Sequence, residues 1–421
     1  MNRLLHTLLH LVVAGLVLTL AMPADAANNK KPRKAQIKVM SYNLYVGADI
    51  YRVFTPTPCG VPQAVNDVHT IIQQTDFPER AEAIADQIML QEPHVIGLQE
   101  VSLLRTQYPG NALAPDGSGI DFLGDFPTDP WFTFKTDAEI VQYDYLQILL
   151  EALEARGLHY VAVEGATATN ADVEFPAIEF DGACNPLGFP TDVRLTDRDV
   201  MLVRAGLDVH MSMADNFMAY FPIQLPTLIP TPDGLVPALY VADFTRGWGW
   251  VDVTVKDQSY RVVNAHLEIG DRNELPDAGL NWVQALQAFE LGTIATSLDA
   301  PVVVMGDMNS SPASPDPDPR PAYDVLSRFS LLDLWTVRHD MSDDFGFTFG
   351  QNELVNNEES LMFERIDYVL GKFGDYETDK IKVKVVGDDP YDKTPSGLWP
   401  SDHAGVAAKI SFEKSKPDKG R

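Results

Sequence analysis

From Gln36 onward, short apolar runs alternate with longer amphipathic segments, and several of the runs close on a polar side chain. The run over 37–42 ends at Asn43, the run over 94–98 ends just before Glu100, and 301–305 leads into Asp307 and Asn309. A buried strand that ends on a polar residue delivers that side chain to a sheet edge. Further strands are expected over 159–164, 199–204, 249–255, 260–267, 366–370, 381–386 and 404–412. Helical spacing appears over 78–91, where Asp76 can cap, Glu79 follows three residues later, and Ala81, Ile84, Ala85, Ile88 and Met89 form a stripe. A second helix is expected over 137–156, with Tyr145, Ile148, Leu149 and Leu153 on one face. Strands outnumber helices and crowd together in sequence, which favours a mixed or antiparallel pair of sheets over strict βα alternation.

Between these elements, 102–130 is rich in Gly, Pro, Asp and Asn and reads as a long loop. The segment 217–244 is apolar but carries Pro222, Pro226, Pro230, Pro232 and Pro237, so it reads as a long connection whose apolar groups pack on the core in preference to facing a lipid surface. Residues 310–321, rich in Pro, Ser and Asp, read as a loop beside a strand end. No internal repeat and no interdomain linker interrupts 36–412; 27–35 reads as a flexible N-terminal segment and 413–421 as a polar tail. Residues 1–26 have the form of a secretory signal: Arg3, an apolar run over 11–21, and Ala24-Asp25-Ala26 as a cleavage site. The reading is therefore an exported protein, secreted or periplasmic, with no spanning segment after cleavage. Cys59 and Cys184 are expected to pair in an oxidising compartment.

Charge then narrows the partners. The chain carries 60 acidic and 32 basic residues, a formal net charge of -28. Such a surface repels polyanions, whereas nucleic-acid binders present a basic stripe, so nucleic acid is disfavoured as a partner. Arg194, Arg198, Arg204 and Arg246 are the cations that could still line a local groove.

The candidate chemistry sits at the strand ends. His403, in Ser401-Asp402-His403, can exchange a proton near neutral pH when a carboxylate fixes its tautomer. Adjacent residues on an extended chain point to opposite faces, so Asp402 does not orient its neighbour, and Asp367 is the better candidate. Asp307 and Asn309, at i and i+2, share a face and can both meet a phosphate; Asn264 and His266 form a similar pair. Taken singly, each motif also reads as a turn or a satisfied core histidine. Glu100, acidic directly after an apolar strand, suits solvent, a basic partner or a hard cation. Tyr143, Asp144 and Glu174 are polar residues with no role in this scheme.

Taken in order, Ser41-Tyr42-Asn43-Leu44, Leu98-Gln99-Glu100, Asn264-Ala265-His266-Leu267, Gly306-Asp307-Met308-Asn309, Arg365-Ile366-Asp367-Tyr368 and Ser401-Asp402-His403 resemble the endonuclease/exonuclease/phosphatase superfamily. That superfamily groups metal-dependent phosphoesterases related to deoxyribonuclease, apurinic endonuclease and neutral sphingomyelinase. The resemblance implies a four-layer α/β sandwich: two central mixed, mainly antiparallel sheets flanked by helices, with insertions near 102–198 and 206–245. It implies a divalent metal held by Glu100, Asn43 and Asp402, magnesium in the first place and manganese or calcium as alternatives. It also implies catalytic roles for His403, Asp367, Asp307 and His266, with Asn309 and Asn264 on the phosphate. Which of Asp307 and His403 acts as the base stays open. The substrate would be a phosphodiester or phosphomonoester, a lipid or small-molecule headgroup before a nucleic acid, with 217–244 as the segment for any peripheral lipid contact. An exported nuclease and a non-catalytic binding module on the same fold are the competing readings.

Overall fold

The Phe77–Gln91 helix shows how local signals become structure: the Asp76 side chain accepts the Glu79 N–H, and Phe77, Ala81, Ile84, Ala85 and Ile88 are buried, while Met89 is exposed at the rim. In this computed structural model the described residues are 35–54, 57–123, 131–231, 234–270, 279–297, 301–312, 321–374 and 376–414. The proposed signal segment, the residues up to 34, most of the 310–321 loop and the end of the tail lie outside them.

An eight-stranded sheet runs, in spatial order, Tyr376–Val386, Gly405–Lys414, Ala35–Asn43, Val95–Gln99, Thr191–Arg204, Leu103–Gln107 and Ile140–Asp144, with Tyr160–Ala177 also paired to Thr191–Arg204. A six-stranded sheet runs Leu332–Asp333, Asp367–Lys372, Val302–Asp307, Gln258–His266, Gly247–Val255 and Asp208–Asn216. Each contains one parallel pair, Ala35–Asn43 with Val95–Gln99 and Gln258–His266 with Val302–Asp307; the other pairings are antiparallel. Alternate residues decide which layer each strand serves. Ile37, Val39, Val95 and Met201 from the first sheet meet Val251, Val262, Val303 and Met305 from the second, and this apolar layer holds the sheets face to face. On the outer face of the first sheet, Met40, Ile96, Leu98 and Leu202 pack on the Phe77–Gln91 and Tyr145–Ala155 helices. Val263, Val302 and Val304 pack outward on the Leu280–Thr296 and Pro321–Ser327 helices. The result is the expected four-layer sandwich.

Three regions differ from the sequence reading. The presumed loop over 102–130 contains Leu103–Gln107, which is hydrogen-bonded to Thr191–Arg204 inside the first sheet, and Ile120–Phe122. The presumed helix over 137–156 is a strand, Ile140–Asp144, followed by a helix, Tyr145–Ala155, because the Asp144 side chain caps Leu146 N–H and starts the helix there. The presumed connection over 217–244 is a hairpin, Phe221–Thr231 with Gly234–Phe244, in a third sheet completed by Trp131–Phe134 and Ile120–Phe122. Pro222, Pro226 and Pro230 fall four residues apart, so their missing N–H groups face one edge, and this strand is the outer one of its sheet. Ile229, Ala238, Tyr240 and Ala242 pack inward as expected, while Met218 and Tyr220 are exposed. Cys59 and Cys184 are disulfide-bonded, with Cα atoms 5.3 Å apart. Among the described residues, no helix is long and apolar enough to cross a membrane.

Candidate active site

Parallel pairing sets Asn43 opposite Gln99, so Asn43 and the following Glu100 arrive at the same end of the first sheet. Glu100 turns away from the strand at φ 55°. Asn43 is fully buried and its Nδ2 donates to Glu100 Oε1 and to Asp307 Oδ2, both at 3.1 Å, while the Val46 N–H donates to Glu100 Oε2 at 2.8 Å. In the second sheet, register places His266 opposite Asp307 and Asp307 opposite Asp367, so three adjacent strands present one polar row. His403 comes from the segment just before Gly405–Lys414, the strand paired with Ala35–Asn43. Its Nδ1 lies 2.9 Å from Asp367 Oδ2, which leaves Nε2 toward Asp307 Oδ2 at 3.8 Å. Asp307 is therefore the hub: His266 Nε2 stands 3.6 Å from the same oxygen, and Asp307 Oδ1 accepts the Asn309 N–H at 2.9 Å. Ligand-capable atoms of Asp307, Asp367 and His403 all lie within 4.8 Å of one another.

Burial and charge set the protonation of this group. Burial works to raise Asp307, but His403 and His266 hold its carboxyl below the usual range. Burial pushes Asp367 up to about 6 against the pull of His403. Burial, then the Glu100 charge, pushes Asp402 up to about 7, with His403 opposing. His403 resists the same burial and, facing Asp367, Asp402 and Asp307, holds its proton well above the ordinary histidine range.

Glu100, His266, Asp307, Asn309, Asp402 and His403 line one cleft of about 350 Å³. Asp367 stands behind His403, and Asn43 behind Glu100. Asn264 is the exception and corrects the sequence reading: its Oδ1 accepts from Gln99 Nε2 at 2.6 Å and its Nδ2 donates to the Leu98 carbonyl at 3.1 Å. Both polar ends are spent tying the two sheets together, and it does not line the cleft. Asn43 differs in a smaller way: it turns its amide N–H₂ to the carboxylates and gives its oxygen to the Tyr45 N–H at 2.9 Å, which positions Glu100 and Asp307 and leaves the oxygen occupied.

Beyond the strand-end motifs, the wall and its backing include Arg246, which the sequence offered only as a possible groove cation, and the acids Asp197 and Asp199, which it did not single out. Arg246 Nη1 lies 3.1 Å from His266 Nε2, and its Nη2 lies 3.2 Å from the Tyr51 hydroxyl and 3.5 Å from Glu268 Oε1. Asp199 Oδ1 is 3.5 Å from His266 Nδ1, and Asn170 Nδ2 donates to both Asp197 and Asp199 at 3.0 Å. The i, i+2 spacing of Asp197 and Asp199 on an apolar strand was the available signal. The four arginines do not form one groove: Arg194 binds Asp172 and Glu139, Arg198 binds Asp144, Arg204 binds backbone carbonyls, and Arg246 alone of the four lines the cleft.

The family model described as the Endonuclease/Exonuclease/phosphatase family matches residues 40–403. The chain belongs to that family. Its members are typically metal-dependent hydrolases, and the buried cluster of acids and histidine here is of the kind such a metal site uses. Among solved structures, an endonuclease/exonuclease/phosphatase family protein from Bacteroides thetaiotaomicron is 16% identical, with a TM-score of 0.48 over 90% of this chain and 99% of that one. An endonuclease/exonuclease/phosphatase from Beutenbergia cavernae is 16% identical, with a TM-score of 0.46 over 90% and 72%. TDP2 from C. elegans is 14% identical, with a TM-score of 0.41 over 89% and 75%. No curated protein sequence matches the chain.

Proposed function

We propose that this member of the family is an exported phosphoesterase, dependent on a divalent cation, that hydrolyses a phosphodiester or phosphomonoester of a lipid or small-molecule headgroup. The observation that carries the reading is the meeting of His403, its Asp367 partner at 2.9 Å and Asp307 in the cleft that also receives Glu100 and Asp402. Glu100 and Asp402 fit a hard cation: both are oxygen donors on one cleft, and burial with the Glu100 charge pushes Asp402 up to about 7 against the pull of His403. Magnesium suits them first, with manganese or calcium as alternatives. When bound, such a cation supplies charge neutralisation at the phosphoryl oxygens.

The protein's own groups divide the remaining work. Asp307, kept ionised by two histidines and held by Asn43 and the Asn309 N–H, is placed to take a proton from water. His403, held charged by its carboxylates and fixed in orientation by Asp367, stabilises the negative charge that builds on phosphorus-bound oxygen. His266, backed by Asp199, and Arg246 add positive charge in the same cleft. The dispersal of Arg194, Arg198 and Arg204 onto other partners favours a small or lipid substrate over a nucleic-acid polymer. The test is hydrolysis of a chromogenic phosphodiester with magnesium, with chelator, and by His403→Ala. Activity that needs both cation and His403 supports the reading; folded protein inactive on small, lipid and nucleic-acid phosphoesters alike would overturn it.

A further inference from the structure

Away from the cleft, four side chains from separate segments meet beside the first sheet. Asn111 lies in the loop after Leu103–Gln107, Asp137 follows Trp131–Phe134, and Glu174 and Asp192 sit on the paired strands Tyr160–Ala177 and Thr191–Arg204. Register sets Glu174 opposite Arg194 and Pro176 opposite Asp192, so Glu174 and Asp192 are diagonal neighbours on one face. Each side chain is half satisfied. Asp192 Oδ2 accepts the N–H groups of Asn111 and Ala112, Glu174 Oε2 accepts the Ala138 N–H at 2.9 Å, and Asp137 Oδ2 accepts from Asn111 Nδ2 at 3.1 Å. The second oxygens, Asp192 Oδ1, Glu174 Oε1 and Asp137 Oδ1, are buried without a hydrogen-bond partner, and so is Asn111 Oδ1. Glu174 is 1% and Asp192 0% exposed.

Buried polar atoms are normally paired, and three acids sharing one pocket normally meet a cation. The nearby guanidinium of Arg194 is spent on Asp172 at 2.7 Å and Glu139 at 2.9 Å. Burial, then the charges of Asp137 and Asp192, drives Glu174 up to about 7, and burial raises Asp192 as well.

We propose that Asn111, Asp137, Glu174 and Asp192 form a calcium site. Four oxygen donors, three of them acidic, match a hard cation that takes six to eight oxygens and tolerates irregular geometry. Unlike those of Asp307, Asp367 and His403, the ligand atoms of these acids are not all within 4.8 Å of one another, so an ion must draw the 111 and 137 loops inward, which the larger and more adaptable shell of calcium allows more readily than the magnesium octahedron. The ion fastens the 111 and 137 loops, which flank the third sheet, to the middle of the first. Because Thr191–Arg204 also carries Leu195 and Asp197 to the cleft, the same ion braces one wall of the catalytic region from outside it.

The test is calcium binding to the full chain after chelation, by calorimetry, alongside thermal unfolding. Wild type and Glu100→Gln are expected to bind calcium at this site, with Tm raised on the order of 3 °C at saturation. The double variant Glu174→Gln with Asp192→Asn is expected to bind at least tenfold more weakly and lose the Tm rise. Amides keep the shape and remove buried charge, so in chelator the double variant should melt no lower than wild type. Asp137→Asn provides the same readout if the double variant fails to fold. Undiminished calcium binding in these variants, an equal response to magnesium, or a wild type that gains stability on acidification yet ignores calcium, the behaviour of acids sharing a proton, would each overturn the assignment.

Discussion

The Thr191–Arg204 strand starts at one buried acidic cluster and lends Leu195 and Asp197 to the wall of another, and the two clusters are handled differently. At the cleft, Asp307 is answered by Asn43, the Asn309 N–H and two histidines, and Asp367 by His403. Toward the start of the strand, Glu174, Asp192 and Asp137 receive amide donors on one oxygen each and nothing on the other. The first cluster contains its own positive charge and so can hold a proton at a chosen atom, which is what acid-base chemistry needs. The second has only neutral amide donors, and its other oxygens are left unpaired, which suits a permanent cation. Buried acids are therefore informative chiefly through what opposes them.

The comparison breaks most easily at its catalytic end. His403→Ala is expected to lower kcat/KM by about 10³- to 10⁴-fold, because charge stabilisation at the transition state goes with it. Steady-state hydrolysis measures this, and a loss under tenfold would remove His403 from the chemistry. Asp367→Asn keeps the shape but not the charge, and should cost about 10²- to 10³-fold, appearing in kcat more than in KM. An equal loss in stability and activity would instead make Asp367 a folding residue. Asn264→Ala separates the two kinds of polar residue at this end. It breaks the bonds to Gln99 and Leu98 between the sheets and should cost about 1 to 3 kcal/mol in urea unfolding, with kcat/KM changed less than about tenfold. The opposite pattern, stability kept and activity lost, would return Asn264 to the phosphate.

These contrasts also mark what the sequence can carry. Asn43, Glu100, Asp307 and Asp367 were legible because each follows or opens an apolar strand, and strand ends in a packed sheet pair must converge. The strand pattern misled at Asn264, since i, i+2 spacing with His266 gives a shared face but not the layer that face meets; Gln99 claimed it first. The third sheet was hidden because Pro222, Pro226 and Pro230 are read against strand formation unless the edge position is known. Arg246 was legible only as a cation and Asp199 only as a strand charge, because their meaning comes from His266. Nothing periodic joins Asn111, Asp137, Glu174 and Asp192, so that cluster exists only in three dimensions.

The smallest effect bears on the second cluster alone and follows from the sign of its titration. In chelator, burial and two neighbouring acids raise the Glu174 carboxyl from an ordinary 4.5 to about 7. The folded state then binds a proton the unfolded state has released, so stability is greatest below about 4.5 and is lost as pH rises toward 7. The loss attributable to Glu174 is on the order of 1 to 2 kcal/mol once solvent screening is allowed for. Glu174→Gln should abolish that part of the slope, read as urea unfolding free energy at pH 5 and pH 7.5. Calcium should abolish it as well, because a cation holds the carboxylate ionised in the folded state and takes the place of the proton. At the cleft the same calcium addition leaves Asp307 with its histidine partners. A slope that persists in Glu174→Gln but responds to His403→Ala would mean that the two clusters titrate as one, and the contrast between them would be lost.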